Sequence, residues 1–241
     1  MIPFLARILD LLTPSTCHVC GSRLPAGADV LCPVCDARLP RTGYWQHPYD
    51  NTMARMFYGR IPIERAAALF FHQPHSLTAR VIYDMKYCNR PLTAVAMGRQ
   101  LARECSVGGF FDGIDVIIPV PLTRRRQHGR GYNQSERLAQ GISEVTGLPV
   151  VADAVRRTRF NGSQTSLDRR SRAANVEGAF SLRRADAVSG RHVLVVDDVV
   201  TSGATAIACA EAACAAGDVR ISVLSLAVAT GMPDNRSIKH F

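Results

Sequence analysis

The most informative segment of this chain is His192-Val193-Leu194-Val195-Val196-Asp197-Asp198-Val199-Val200-Thr201-Ser202-Gly203-Ala204-Thr205. Residues 193–196 are apolar and mostly β-branched, which is typical of a strand covered on both faces of a parallel sheet. Residues 206–216 are rich in alanine and predict a helix. Between them, a tight turn around Gly203 can direct backbone N–H groups and hydroxyls toward a phosphate at the helix N-terminus. The segment therefore predicts an α/β fold with an anion-binding corner.

Two adjacent acids, Asp197 and Asp198, follow the predicted strand at its carboxyl end. Their carboxylates can accept hydrogen bonds from the vicinal hydroxyls of a sugar or hold a magnesium ion. An ordinary strand-to-helix crossover remains an alternative. A Walker-type nucleotide site is excluded, because neither Lys86 nor Lys239 precedes Ser or Thr. The turn residues expected at the same site are Thr201, Ser202, Gly203, Ala204 and Thr205.

Length and composition indicate one α/β domain of ordinary size with a small appendage, since the chain has 241 residues and 47% hydrophobic content. We expect a small module over residues 1–50 and the main domain over residues 51–241. No segment is a candidate membrane span. Residues 1–12 lack a basic start and are interrupted by Arg7 and Asp10, so they predict a short amphipathic helix and not a signal peptide. A cytoplasmic location follows as an expectation.

Four cysteines near the N-terminus form two CxxC pairs with 11 residues between them. A reducing compartment disfavours disulfides, and this spacing lets a short hairpin bring four thiolates around one ion. Redox-active dithiols or a chance arrangement are the alternatives. The pattern predicts a structural zinc ribbon that holds together a segment with too few apolar residues to fold alone. The predicted ligands are Cys17, Cys20, Cys32 and Cys35.

The rest of the chain alternates between strand and helix patterns, which is typical of a parallel sheet flanked by helices. Residues 55–72 predict a hairpin that turns near Gly59, and residues 77–105 predict helix with a break before Pro91. Ligands of such sheets collect at the carboxyl ends of the strands. The other predicted elements are strands over residues 114–120, 150–155 and 220–229, a helix over 134–145 and a linker over 40–52.

Arginine is concentrated in two predicted loops, over residues 119–135 and 156–172. Between residues 124 and 184 there are 13 arginines and five acids, so this segment carries +8 of the net charge of +9. One guanidinium group can bind two phosphate oxygens at once. This bidentate binding suits a pyrophosphate and also a nucleic-acid backbone. For any single arginine, a solvated surface charge remains the alternative.

The acidic segment closely resembles the binding loop for 5-phosphoribosyl-1-pyrophosphate (PRPP) in type I phosphoribosyltransferases. With the other motifs, the resemblance narrows to the ComF family, which joins a cysteine-rich zinc module to a phosphoribosyltransferase-like domain. The motifs that carry it are the two CxxC pairs, Met85-Lys86-Tyr87, Pro119-Val120-Pro121, Arg130-Gly131-Tyr132-Asn133-Gln134-Ser135, Gln164 with Arg172 and Asn175, and the Asp197-Asp198 loop.

The resemblance implies a binding mode for PRPP and magnesium. Asp197 and Asp198 would bind the ribose hydroxyls, and the turn over 201–205 would wrap the 5-phosphate. The loop after the strand over 114–120 would contact pyrophosphate, and residues 156–180 would close over it. The residues implied to stabilise negative charge on the leaving pyrophosphate are Arg124, Arg130 and Arg172.

Two functions of different classes follow from this resemblance. The family is associated with natural competence, so one hypothesis is a DNA-uptake protein that binds PRPP and single-stranded DNA, with DNA-uptake or helicase components as further partners. Tyr132 and Phe160 are then candidate stacking platforms for bases. The alternative is a genuine phosphoribosyltransferase whose acceptor the sequence does not reveal. A structural adaptor that keeps the loop without chemistry is a third reading.

Overall fold

The computed structural model describes residues 16–88, 90–158 and 179–229, and for residues 124–126 it describes the backbone alone. The predicted N-terminal helix over residues 1–12 lies outside the described residues. So does most of the predicted closing loop, with Phe160, Gln164, Arg172 and Asn175.

The described residues form six strands and seven α-helices, with short 3₁₀ turns at Tyr44–Gln46 and Ala185–Ala187. The strands are β1 (Ile63–His72), β2 (Val116–Pro119), β3 (Val155–Arg157), β4 (Phe180–Leu182), β5 (His192–Val200) and β6 (Arg220–Ala229). The helices are α1 (Pro33–Ala37), α2 (Thr52–Arg55), α3 (Leu77–Tyr87), α4 (Pro91–Ser106), α5 (Arg124–Arg130), α6 (Gln134–Thr146) and α7 (Ala204–Cys214).

Four of the strands form a parallel sheet in the order β1-β6-β5-β2. Successive residues of a strand point to opposite faces, so an apolar strand such as β5 feeds two cores. Leu194 and Val196 belong to the core under α4 and α6, whereas Val193 and Val195 belong to the core under α7. The predicted parallel sheet with helices on both faces is therefore confirmed.

Helices α4 and α6 approach each other closely through two glycines. A Cβ atom on Gly98 would lie 2.2 Å from the Leu138 carbonyl oxygen, and one on Gly141 would lie 2.0 Å from that of Val95. Both distances are far below van der Waals contact, so only glycine permits this packing. The contact orients α6, whose first turn reaches the functional site described below.

The predicted hairpin over residues 55–72 is wrong. The chain forms α2, turns at Gly59 with φ +71°, and then enters β1, which pairs in parallel with β6. Residues 65–70 are buried, so both faces of β1 are covered, although the strand lies at one edge of the four-stranded sheet. The break before Pro91 is confirmed, because α3 ends at Tyr87 and α4 begins at Pro91.

The predicted strand over residues 150–155 is also interrupted. Val150 makes one parallel bridge with Ile117, a turn follows at residues 152–153, and β3 then pairs antiparallel with β4. Residues 40–42 of the predicted linker lie against β1: Phe71 N–H donates to the Pro40 carbonyl at 2.8 Å, and Thr42 N–H donates to that of Leu69 at 3.0 Å. Within the described ranges, no helix is long and apolar enough to span a membrane.

Candidate functional site

The paired acids Asp197 and Asp198 lie among the last four residues of β5, at the carboxyl edge of the sheet. Their side chains are half-buried, and the backbone N–H of Asp198 donates to Oδ1 of Asp197 at 2.9 Å. The Ser135 hydroxyl donates to the same oxygen at 3.1 Å. Burial, reinforced by repulsion from Asp198, raises the pKa of Asp197 to about 7. The edge therefore holds two carboxylates whose charges are coupled.

A lysine from a distant helix completes this pair. Lys86 lies in the last turn of α3, and its Nζ is 3.1 Å from Oδ2 of Asp198. The two side chains are 20% and 13% exposed, so the ion pair is largely shielded from water. No site role is predicted for Lys86 from the sequence, although Met85-Lys86-Tyr87 is one of the motifs of the family resemblance. The available signal was that it is the one lysine in the described ranges of a chain that otherwise uses arginine.

The motif over residues 130–135 locks the end of α3 in place. The Tyr132 hydroxyl donates to the Met85 carbonyl, and Gln134 Nε2 donates to the same oxygen at 3.4 Å. Asn133 caps α6 by accepting from Ser135 N–H, and its amide donates to the Val120 carbonyl at 3.1 Å. The loop after β2, the start of α6 and the end of α3 are thus joined beside the acids.

This network corrects the predicted stacking role of Tyr132. Its side chain is 6% exposed and its hydroxyl is committed to the Met85 carbonyl, so no base can stack on its ring. Burial raises the pKa of Tyr132 to about 12, in keeping with this structural role. The sequence could not show this, because the partner carbonyl lies 47 residues away along the chain.

The turn after β5 builds a small concave site of about 30 Å³. Gly203 has φ +75° and caps α7 without a side chain, so the first backbone N–H groups of α7 line the cavity. Thr201 and Ser202 are exposed there, whereas Ala204 and Thr205 are half-buried. The helix dipole and these donors favour an anion at this position. The full lining is Asp197, Val199, Val200, Thr201, Ser202, Gly203, Ala204, Thr205 and Ala206.

The predicted arginines are distributed differently. Arg130 Nη1 donates to Gln134 Oε1 at 3.1 Å, which ties it to the network beside the acids. Arg124 begins α5, but its side chain lies outside the description, as does all of Arg172. The structure therefore joins Arg130 to the first residue of α6 and describes no position for the other two guanidinium groups.

A second arginine group surrounds a cavity of about 340 Å³ between the loop after β2 and the β3–β4 ribbon. Arg184 is paired with Asp153 at 3.6 Å and with Asp186 at 3.1 Å. Arg156 and Arg183 have no ion pair within the described part of the chain. The cavity is therefore electropositive. Its lining is Pro121, Leu122, Gln127, Ala152, Asp153, Val155, Arg156, Arg157, Arg183 and Arg184.

The four predicted metal ligands converge on one point. Their sulfur atoms all lie within 4.8 Å of one another, and those of Cys20 and Cys32 are 3.8 Å apart. Tetrahedral zinc with Zn–S bonds of about 2.3 Å places its sulfurs about 3.8 Å apart, so the group has the dimensions of such a site. Cys17 Sγ accepts the Cys32 N–H at 3.4 Å, a bond that stabilises thiolate. The residues present therefore fit a metal ion.

The cysteine group is attached to the helix that carries Lys86. His18, inside the first CxxC pair, has its Nδ1 3.1 Å from Oδ2 of Asp84 on α3. Arg41 joins the same segment to the next helix: it pairs with Asp36 at 2.9 Å and with Glu104 on α4 at 3.0 Å. The cysteine-bearing segment thus contacts both α3 and α4.

Comparison of the sequence with known proteins assigns the chain to a family. The DNA utilization protein YhgH of Escherichia coli O6:H1 is 34% identical over 205 residues, which cover 81% of this chain and 88% of the relative. The competence protein F of Haemophilus influenzae is 41% identical over 96 residues, covering 38% of this chain and 40% of that protein. The chain belongs to the ComF family.

More distant comparisons add little to the family assignment. The competence protein ComFC of Bacillus subtilis is 28% identical over 90 residues, covering 37% of this chain and 34% of that protein. Among solved structures, the allosteric regulatory enzyme of purine biosynthesis aligns with a TM-score of 0.40 and 22% identity, over 59% of this chain and 30% of its own. An overlap of that size carries no functional conclusion. No family model matches the chain.

Proposed function

We propose that this ComF-family protein binds PRPP with magnesium at the carboxyl edge of its sheet and serves DNA uptake by also binding single-stranded DNA. The observation that carries the proposal is the placement of two adjacent carboxylates beside an anion-binding turn, the combination that a phosphorylated sugar requires. The names of its relatives, DNA utilization protein and competence protein, support the link to DNA.

The sugar is bound by the two acids. Two vicinal hydroxyls are donors, and Asp197 and Asp198 are adjacent acceptors at the edge of the sheet. Lys86 forms an ion pair with the Asp198 carboxylate, and Ser135 orients the Asp197 carboxylate. Sugar binding does not require Lys86 to leave Asp198. The two carboxylates are therefore already positioned before the sugar binds.

The 5-phosphate occupies the turn before α7. Backbone N–H groups at a helix N-terminus bind phosphate without needing a basic side chain, and Gly203 supplies the left-handed N-cap at which α7 begins. The hydroxyls of Thr201 and Ser202 are exposed at the same turn and provide further donors. The turn and Asp197 both line the small cavity, which suits a ligand that carries its phosphate and hydroxyls on one ribose.

Asp197 and Asp198 would also hold the magnesium ion that accompanies the diphosphate of PRPP. Hard cations prefer oxygen ligands, which the carboxylates of Asp197 and Asp198 provide at this edge. When bound, the ion neutralises diphosphate charge and so assists its departure from the sugar. Arg130 faces the same network and, with Arg124 and Arg172 as the resemblance implies, contributes further positive charge toward the diphosphate.

The cysteine group holds structural zinc in this proposal. Four thiolates fill a tetrahedral site and leave no position for water, so the ion stabilises the fold and takes no part in chemistry. Its role is to hold the segment that contacts α3 through His18 and Asp84. We propose that the protein acts in the cytoplasm, where paired thiols serve metals more often than disulfides, together with DNA-uptake or helicase components.

Calorimetric titration with Mg²⁺ and PRPP tests the proposal, with pyrophosphate release monitored in parallel. We expect the wild type to bind and the double variant Asp197→Asn, Asp198→Asn to lose at least about tenfold in affinity while staying folded. Glu211→Gln is the matched control, because Glu211 is an exposed acid on α7 away from the turn.

Repeating the titration with a short single-stranded DNA separates the two functions. Binding without pyrophosphate release supports PRPP as a ligand of a DNA-handling protein. Release that requires DNA or another added acceptor would establish a transferase instead. Absence of PRPP binding by the wild type would refute the sugar site.

A further inference from the structure

Two tyrosines on the outer face of α3 form an exposed aromatic pair. Tyr83 and Tyr87 lie one helical turn apart, where side chains are neighbours. Their ring centroids are 4.8 Å apart with an interplanar angle of 39°. The two residues are 59% and 62% exposed. Scattered exposed aromatics are ordinary, but a contacting pair presents a continuous π surface to solvent.

A guanidinium group extends this surface. The Arg130 Cζ lies 5.6 Å from the centroid of the Tyr87 ring, within the range of a cation–π contact. Arg130 is held there by Gln134, so its position does not depend on the ring alone. Together, Tyr83, Tyr87 and Arg130 form what we call the aromatic platform, with stacking area and positive charge side by side.

The aromatic platform lies next to the proposed sugar site along two separate connections. Tyr87 directly follows Lys86, whose ammonium contacts Asp198. On the other side, Arg130 contacts Gln134, the neighbour of the Ser135 that donates to Asp197. Tyr87 is thus adjacent in sequence to Lys86, and the residue that Arg130 contacts is adjacent in sequence to Ser135. Lys86 and Ser135 are the side chains that contact the paired acids.

We propose that the aromatic platform stacks the bases of single-stranded DNA, which takes up the stacking role that the buried Tyr132 cannot perform. The inference rests on the DNA-binding half of the proposed function. Single-strand binding requires aromatic faces for bases beside positive charge for phosphates, and every base has a π face. The platform supplies the first, and Arg130 with the arginine-lined cavity supplies the second. The net charge of +9 of the whole chain favours a polyanion as the partner.

The test compares oligonucleotide binding by the wild type and by the double variant Tyr83→Leu, Tyr87→Leu. Leucine keeps helix propensity and apolar bulk but removes the rings. Fluorescence anisotropy with a labelled oligothymidylate is measured over a range of salt concentrations. We expect affinity to fall roughly 5- to 100-fold. We also expect the slope of log affinity against log salt to stay unchanged, since no phosphate contact is lost.

Tyr49→Leu is the matched control. Tyr49 is 61% exposed and has the Arg65 guanidinium 5.5 Å from its ring centroid, but it lies before α2 and away from the paired acids. This variant should bind DNA as the wild type does. Tyr83→Phe with Tyr87→Phe should also retain binding, because the rings remain. An oligonucleotide with abasic positions should bind the wild type as weakly as the intact one binds the leucine variant.

The outcomes separate this inference from the sugar site. Unchanged DNA affinity in the leucine variant would overturn the stacking role. So would an affinity loss from the leucine substitutions that is equally large for the abasic and the intact oligonucleotide. Absence of DNA binding by a wild type that still binds Mg²⁺ and PRPP would also overturn it while leaving the sugar site intact. Competition by free thymidine at the platform, without DNA binding, would assign the face to a small acceptor and likewise overturn it.

Discussion

The ammonium group of Lys86 lies 3.1 Å from Oδ2 of Asp198, so the end of α3 is joined to the end of β5 by a largely shielded ion pair. The same carboxylate repels Asp197 and contributes to the raised pKa of that residue. Lys86 therefore counters the combined charge of two acids. Removal of the lysine and removal of the aspartate should not be equivalent.

A double-mutant cycle measures this asymmetry. Lys86→Met leaves two neighbouring carboxylates without their cation and should lower the free energy of unfolding by about 1–3 kcal/mol. Asp198→Asn also breaks the pair but relieves Asp197, so it should cost less. The double variant should lose less than the sum of the two in urea denaturation. Additive and equal losses would contradict a coupled site.

Replacement of Gly141 by alanine tests the packing that orients α6. The added Cβ would lie 2.0 Å from the Val95 carbonyl oxygen, so α4 and α6 must separate. We expect a loss of more than about 2 kcal/mol in the free energy of unfolding. Gly129→Ala on α5 is the control, because nothing lies within 4 Å of that position. It should be neutral or gain up to about 1 kcal/mol through helix propensity. Similar results for both variants would argue against the close contact.

His192 should make stability depend on pH. It is fully buried, its Nδ1 lies 3.1 Å from the Gly113 carbonyl and its Nε2 lies 2.8 Å from the Ser222 hydroxyl. Burial lowers its pKa from the usual 6.5; Arg220 and Arg65 act in the same direction, and Glu64 opposes them. The unfolded chain therefore binds a proton at a higher pH than the folded protein does, and stability should fall as pH drops below about 6.5.

Thermal unfolding between pH 5 and 8 checks this expectation. His192→Gln should be less stable at pH 8, because a buried contact set is disturbed, and its melting temperature should vary less with pH. His47→Gln, at an exposed histidine, should keep the wild-type profile. A wild-type profile retained by His192→Gln would show that other groups cause the pH dependence.

Cys17→Ser should release the proposed zinc and loosen the segment around it. One ligand of four is lost, and the bonds that the knuckle makes with α3 through His18 and Asp84 are weakened. Metal content and melting temperature should both fall. Cys88→Ser, at an exposed cysteine outside the group, should change neither. Unchanged metal content in Cys17→Ser would refute the ribbon.

The arginine-lined cavity should contribute to single-stranded DNA binding through positive charge and not through base stacking. Arg156→Ala with Arg183→Ala should weaken single-stranded DNA binding and lower the salt slope by about one for each lost phosphate contact. Arg38→Ala removes an exposed arginine next to α1 and should leave the slope unchanged. A constant slope in the double variant would place the DNA phosphates elsewhere.

Local patterns in the sequence predicted many elements of this structure. Each of these patterns depends on only a few neighbouring residues. The apolar run before Asp197, the alanine-rich helix after Gly203, the break before Pro91 and the two CxxC pairs each express a local rule of burial, helix formation or metal ligation. The hairpin over residues 55–72 was wrong for the same reason. An apolar run does not state which strand it pairs with, and β1 found β6 more than 150 residues away.

Sequence by itself determined the α/β class, the paired acids before a turn at Gly203 and the cysteine quartet, since each needs only adjacent residues and their chemistry. Tertiary structure alone decided that Lys86 neutralises Asp198, that Tyr132 is buried against Met85 and that Tyr83 and Tyr87 are the rings left exposed. These relationships depend on how α3 packs against α6 and β5. The position of α6 is in turn set against α4 by close contacts such as Gly98 with Leu138, which no local pattern specifies.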